Sequence, residues 1–332
     1  MAITGNSSYV PTINEFSAHW VQCNTALAPQ ALLVRLPDNT TRTQAQFVSM
    51  RNALEINQDQ VQDCLVAQVI ARANIFLRKE GLLAQLNLFN AVLDGYYQNT
   101  VFYAARPFVP SIGAGQENFI RPMVDAMKLW AKLNVGTAPE GVTLPLSLSD
   151  GTNQEDFADA VQALKEAYEE EQGKAQDVTL ARATRDLTQD KCYETMKSYR
   201  EAVPAKLSAF PALIETMPRL TPLPGHTPAA VNASAVFQAP NQAKVIYDAS
   251  TDLQLERYEL RGTVGDHYDE DDAVVIATHL PNEPREFVTT FGLNQPGAEI
   301  ALKVFVVLTT GNEAGSAAML VDRPANVELL AA

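Results

Sequence analysis

The sequence predicts a multidomain α + all-β chain: a pseudo-twofold duplicated long-helix bundle with a small two-stranded ribbon, then a seven-stranded β-sandwich. Three observations predict it. Residues 43–97 carry one continuous helical seam. The pattern of that segment recurs 110 positions later. From Thr227 onward the apolar period falls to two.

The seam is read at every seventh residue: Phe47, Leu54, Val61, Gln68, Ile75, Leu82, Phe89 and Tyr96. All but Gln68 are apolar or aromatic. A second line through Met50, Cys64 and Ala71 shifts to Leu86 and Leu93, the three-and-four spacing of a long packed helix. No proline interrupts it. About 50 such residues span roughly 75 Å, and a helix of that length needs a partner along most of it.

The partner is the second copy. At a shift of 110, Trp20 falls on Trp130, Asn24 on Asn134, Ala28-Pro29 on Ala138-Pro139 and Leu36 on Leu146. Phe47 falls on Phe157, Ala53-Leu54 on Ala163-Leu164, and Ala71-Arg72-Ala73 on Ala181-Arg182-Ala183. No gap is needed, and composition alone yields only roughly half a dozen matches in about 100 positions. The offset holds across helix, loop and helix, so the segment is read as an internal duplication.

In chain order, Thr12–Glu15 reads as a capping box opening a short helix with Ile13, Phe16 and Trp20. Arg121-Pro122 opens its counterpart, which carries Met123, Met127 and Trp130. Each short helix is followed by a Pro-bounded extended piece, at 31–37 and 142–148. These two pieces are expected to pair with each other as the ribbon. Thr152–Glu155 caps the second long helix, which runs to about Leu207 with a polar middle at 169–174. The expected organisation is a helical domain at 1–220, with repeats at about 10–115 and 120–225, and a Pro-rich linker at 221–227. A sandwich at 228–324 and a tail at 325–332 follow.

Seven short strands are expected: 231–237, 243–247, 257–262, 273–277, 285–290, 299–308 and 317–321. Their surroundings carry Pro228, Ala249-Ser250-Thr251-Asp252, Tyr258-Glu259-Leu260, Leu293-Asn294-Gln295-Pro296-Gly297, then Leu302, Val304 and Val306, and Asn312–Ser316. In these features the last third of the chain resembles the fibronectin type III family. Tyr247 stands where that family usually has a core Trp, and Ile300 where it usually has a corner Tyr. The resemblance implies a binding or spacer module and no chemistry. The duplicated region resembles no family of known function.

Composition narrows function. A net charge of −14 leaves no basic stripe for nucleic acid and disfavours anionic membranes. No window is apolar enough to span a bilayer. The start, Met1–Gly5, lacks the basic and apolar run of a signal peptide. The default compartment is therefore the cytoplasm, with export by another route left open. Three cysteines, Cys23, Cys64 and Cys192, have neither disulfide-framework nor zinc spacing and read as buried thiols.

No HExxH, GxSxG, phosphate-loop or dinucleotide fingerprint occurs, so no catalytic residue and no cofactor are assigned. His19, His226, His267 and His279 have no fixed catalytic partner. Asp266, Asp269, Asp271 and Asp272 form a candidate calcium loop without EF-hand spacing, and a solvated acidic loop is the plainer reading. Tyr96, Tyr97, Phe102, Tyr103 and Phe108 form an aromatic stretch, read either as a core cap or as interface anchors. The leading expectation is a non-enzymatic structural or assembly protein, a long helical rod carrying a β-sandwich, whose partner is itself. The alternative is an adhesive or ligand-binding module recognising protein or glycan through the sandwich. An enzyme with a site between helices ranks third.

Overall fold

Each long helix is opened by a reciprocal cap, and neither meets a proline before its last turn. In the computed structural model, which describes residues 2–324, they are α2 (Gln44–Tyr96) and α5 (Gln154–Lys206), 53 residues each. Thr43 Oγ1 accepts the Gln46 N–H, and Gln46 Oε1 accepts the Thr43 N–H. Asn153 and Asp156 repeat this 110 positions on, one residue past the expected cap at Thr152. Two short-helix openings also move. The first short helix, α1 (Tyr9–Leu27), starts ahead of Thr12, whose hydroxyl instead donates to the Ser8 carbonyl. Its counterpart α4 (Gln116–Asn134) starts ahead of Pro122, which lies inside it. The remaining helices are one-turn pieces: a 3-10 turn (Asn6–Ser8), α3 (Val101–Ala104) and α6 (Pro211–Glu215). The expected tail at 325–332 lies outside the described residues.

The chain forms two compact units, 1–66 with 177–332, and 67–176. The division does not follow the order of the sequence. It cuts both long helices, between Val66 and Ala67 and between Gln176 and Asp177, points 110 residues apart. Each unit therefore draws on both copies, and the same core is built twice.

In the second unit Trp130 of α4 packs on Phe157 at the start of α5 and on Phe89 near the end of α2, with ring centroids 5.8 and 4.9 Å away. In the first unit Trp20 of α1 packs on Phe47 at the start of α2 and on Tyr199 near the end of α5, at 5.7 and 4.8 Å. Within the second unit the α5 partner falls from Glu171 to Thr152 as α2 advances from Gln68 to Gln85, so these helices are antiparallel. The polar middle of α5 is used there: Glu171 accepts from both Gln68 and Arg72.

The loops correct the gapless alignment. The Trp20 indole donates to the Leu32 carbonyl, and Asn24 accepts the Leu32 N–H. The Trp130 indole donates to Leu146, and Asn134 accepts the Leu146 N–H. Leu146 thus answers to Leu32, not Leu36, because the second loop is four residues longer before its anchor. The ribbon is corrected too. It forms within the first copy, where β1 (Val34–Arg35) pairs antiparallel with β2 (Thr41–Arg42), and residues 142–148 form no strand.

All seven expected sandwich strands form: β3 (Ala233–Gln238), β4 (Gln242–Tyr247), β5 (Leu255–Val264), β6 (Val274–His279), β7 (Glu286–Thr289), β8 (Glu299–Leu308) and β10 (Met319–Asp322). A short β9 (Glu313–Gly315) is added on β8. The sheet orders are β3-β4-β7 and β10-β8-β5-β6, a fibronectin III-like sandwich. Tyr247, in the position of the family's Trp, is buried and stacks on Phe287 with centroids 5.2 Å apart. Ile300 is fully buried. No helix among the described residues is long and apolar enough to cross a membrane.

Candidate functional site

The acidic loop is a docking contact. Asp272, 1 % exposed at its side chain, accepts from Arg182 Nε at 2.9 Å and Arg185 Nη1 at 3.0 Å, and also meets Arg182 Nη2. Arg185 is itself only 5 % exposed and donates to the Asp271 carbonyl as well. Gln62 donates to the Asp272 carbonyl, and Asn6 to that of Asp271. The hydrogen bonds that Arg182 donates to Asp272 hold its guanidinium above its ordinary pKa. Asp269 spends one oxygen on the Asp271 N–H and sets the other 3.5 Å from Arg182. Asp266 lies exposed beside His267. For Asp272 the solvated-loop reading is corrected, because that carboxylate is buried on two arginines of α5, while Asp266, Glu270 and Asp271 are exposed as that reading expects. No group of three or more His, Cys, Asp or Glu is arranged to hold a metal ion among the described residues.

The linker is also held. Ile3 N–H donates to the Leu220 carbonyl, Leu223 N–H to Thr310, and Arg200 to Pro218. The face of β5 turned away from the sandwich core is covered too. Its Arg257, Glu259 and Arg261 are buried, with Glu259 accepting from both arginines at 2.7 and 2.9 Å. Arg261 also forks onto Glu313 and lies over the Phe305 ring. On the three-stranded sheet the outer face remains open, exposing Val236, Ile246 and Val288 around a Lys244–Glu286 pair.

The aromatic stretch divides between the two readings. Tyr97 is buried in the second core, edge-on to the partly buried Phe102. Tyr96, Tyr103 and Phe108 are exposed, and the Arg106 guanidinium lies over Tyr103.

His19 belongs to a buried chain that the sequence did not reveal. Its Nε2 faces the Leu213 carbonyl at 2.8 Å, which can only accept, so that nitrogen carries the proton. Nδ1 then accepts from the Tyr199 hydroxyl at 2.7 Å, and Cys23 Sγ lies 3.3 Å from that oxygen. Burial raises both the Cys23 thiol and the Tyr199 hydroxyl. At the matching positions of the other core stand Leu129, Phe89 and Leu133. The shift of 110 was the signal that could have exposed this polar substitution.

The remaining histidines lie in the sandwich or at its edge. His226 binds Asp252 at 2.5 Å and holds that carboxyl below its usual range. The pair lines an open depression of about 420 Å³. His279 meets the Tyr247 hydroxyl. A second depression, of about 300 Å³, gathers Glu15, Glu215 and Glu256 with Arg219 and Arg257, but no His, Cys or Ser lines it. A groove of about 420 Å³ in the first unit runs beside Leu180, between Cys64 and Thr184.

The outward faces of the long helices carry the other shared feature. Ile70 and Leu77 of α2 are 44 % and 63 % exposed, and Leu180 and Leu187 of α5 are 69 % and 61 % exposed. The pairs are separated by the shift of 110, and each first residue precedes Ala-Arg-Ala.

No family model and no curated protein matches the chain. Among solved structures, an Fn3-like protein from Clostridium thermocellum is 22% identical over 30% of this chain and 96% of that one, with a TM-score of 0.23. The pectate lyase PelI from Erwinia chrysanthemi, in complex with tetragalacturonic acid, is 18% identical over 28% of each chain, with a TM-score of 0.24. Pectate lyase Pel3 from Pectobacterium carotovorum is 12% identical over 28% of this chain and 27% of that one, also at 0.24. This chain thus spans little more than a quarter of either lyase.

Proposed function

We propose that this chain is a non-enzymatic structural protein that assembles with itself, a helical scaffold carrying a β-sandwich. The observation that supports this most is the repeated exposure of large aliphatic side chains at Ile70 and Leu77 and again at Leu180 and Leu187. Single exposed aliphatics are ordinary on protein surfaces. Two pairs at the same positions of a duplicated helix give one chain two similar apolar faces, the requirement for contacting more than one neighbour. The polar groups of the first core support the same reading. The His19–Tyr199–Cys23 chain ends on a backbone carbonyl and is buried from any substrate. The carboxylates beside the second depression stand among arginines, with no histidine or cysteine lining it.

Light scattering behind a size-exclusion column tests this over a concentration series, with and without calcium. A mass above one chain that grows with concentration is expected in both conditions. A single-chain mass at every concentration overturns the reading. A mass that rises only with calcium would move the function to ligand binding at the sandwich.

A further inference from the structure

The outer face of α2 in the second unit carries a seam with no charge in it. Ile70, Ala73, Leu77, Gly81, Ala84 and Leu88 follow one another at steps of three and four, which places them on one side of a helix. All but the half-buried Leu88 are exposed. This is not the core side. Lys79, half a turn round from the seam, is buried and donates to the Ile112 and Ala114 carbonyls. Nothing lies within 4 Å of where a side chain at Gly81 would begin, so the seam is open at its centre.

The edges of the seam differ. Arg78 and Glu80 are both exposed and stand two residues apart, about 200° round the helix, so they flank the seam on opposite sides. Phe76, 49 % exposed, lies one turn before Glu80 on the same edge. One edge therefore presents a guanidinium, and the other presents a ring and a carboxylate at nearly the same height, about 3 Å along the axis.

We propose that this seam pairs with the same seam of a second copy, the two α2 helices running parallel. The proposal rests on the self-assembly reading and specifies its contact. In a parallel pair each edge faces the opposite edge of the partner. Arg78 of each copy then meets Phe76 and Glu80 of the other, an ion pair with a cation–π contact, and the arrangement occurs twice by symmetry. An antiparallel pair brings like edges together and sets the Arg78 edge against itself. The face of α5 is a poorer partner: beyond Leu187 its outward positions become Lys191 and Glu194, so its uncharged run is shorter. The central Gly81 and Ala84 let two backbones approach closely, while Ile70 and Leu77 supply the apolar contact.

Sedimentation equilibrium of the full chain tests this with the substitutions Leu77→Glu, Leu187→Glu, Arg78→Glu and the exchange R78E/E80R. Circular dichroism confirms that each variant remains helical. L77E is expected to weaken association at least about tenfold, as loss of an interface anchor does. L187E should leave this contact in place. R78E should weaken it, and the exchange should restore it. A73C and A84C, each in a C64S background, should both form disulfide-linked dimers on mild oxidation, because only parallel, in-register helices set both positions face to face with their own copies; an antiparallel pair can do so at one of them at most. Wild-type chains that stay single overturn the assembly reading and this contact together. Chains that associate undisturbed by L77E overturn the contact alone. Association lost in L187E and kept in L77E assigns the pairing to α5 and overturns it also.

Discussion

Replacing Asp272 with Ala removes the carboxylate on which the sandwich is fastened to α5. The cost follows from what is left behind. Arg182 is 38 % exposed at its side chain and can rehydrate, so its loss is small. Arg185 is 5 % exposed and retains only the Asp271 carbonyl and the neighbouring Asp186. Breaking a buried pair from one side costs about 3–5 kcal/mol. With one arginine of the two free to reach water, the lower end, about 3 kcal/mol, is expected. Denaturant unfolding followed by circular dichroism measures the loss. Hydrogen exchange at 182–185 and 268–276 shows whether it falls at this contact. Asp269→Ala, at a 3.5 Å contact on the surface, should cost less than about 1 kcal/mol. Replacing both partners, D272L with R185M, should recover most of the loss, since apolar residues of similar size fill a former ion-pair site at little cost. A loss under about 1 kcal/mol for D272A, the worth of an exposed pair, would refute the docking argument.

Further outcomes follow from the two cores and the thiols. H19L/C23L/Y199F writes the second core's Leu129, Leu133 and Phe89 into the first. It should change stability by no more than about 1 kcal/mol in chemical denaturation, whereas Y199F alone should cost about 1–3 kcal/mol by leaving buried His19 without its donor. Trp130→Ala empties a fully buried site between Phe89 and Phe157 and should cost about 3–5 kcal/mol. Burial pushes the Cys192 thiol from the ordinary 9.0 to about 12 and also raises that of Cys23. Ellman's reagent at mildly alkaline pH should therefore react first with half-buried Cys64, and with all three only after unfolding. Because the folded pKa of Cys192 lies above the unfolded one, its contribution to stability is whole below pH 9 and is lost as pH rises toward 12. An alkaline unfolding series on C192A against wild type measures that slope.

Local pattern carried much of the fold. The heptad line through Phe47, Leu54, Val61, Leu82 and Phe89 became buried seam because burial on a helix face repeats in sequence. Gln68, the one polar residue on that line, lies within the second unit and binds Glu171 of the same unit. The sandwich strands were legible for the same reason, since alternation is local. The features missed were those set by distant partners. Asp272 looked like one more acid in a polar loop, because Arg182 and Arg185 precede it by nearly 90 residues. The expected pairing of the two extended pieces failed because β1 finds a partner a few residues on, across the turn at Asp38-Asn39. The loop slip stayed hidden because leucines stand at both Leu32 and Leu36, and chance identity masked four extra residues. The interlocking of the copies was implicit in the constant shift, but which half-helix packs with which is a tertiary fact.

Assembly is the claim on which the functional account depends, and sedimentation velocity of the unmodified chain across the micromolar range tests it most directly. A self-assembling chain gives a weight-average sedimentation coefficient that climbs with concentration, and L77E weakens that climb. A concentration-independent single-chain boundary in the wild type would contradict self-assembly.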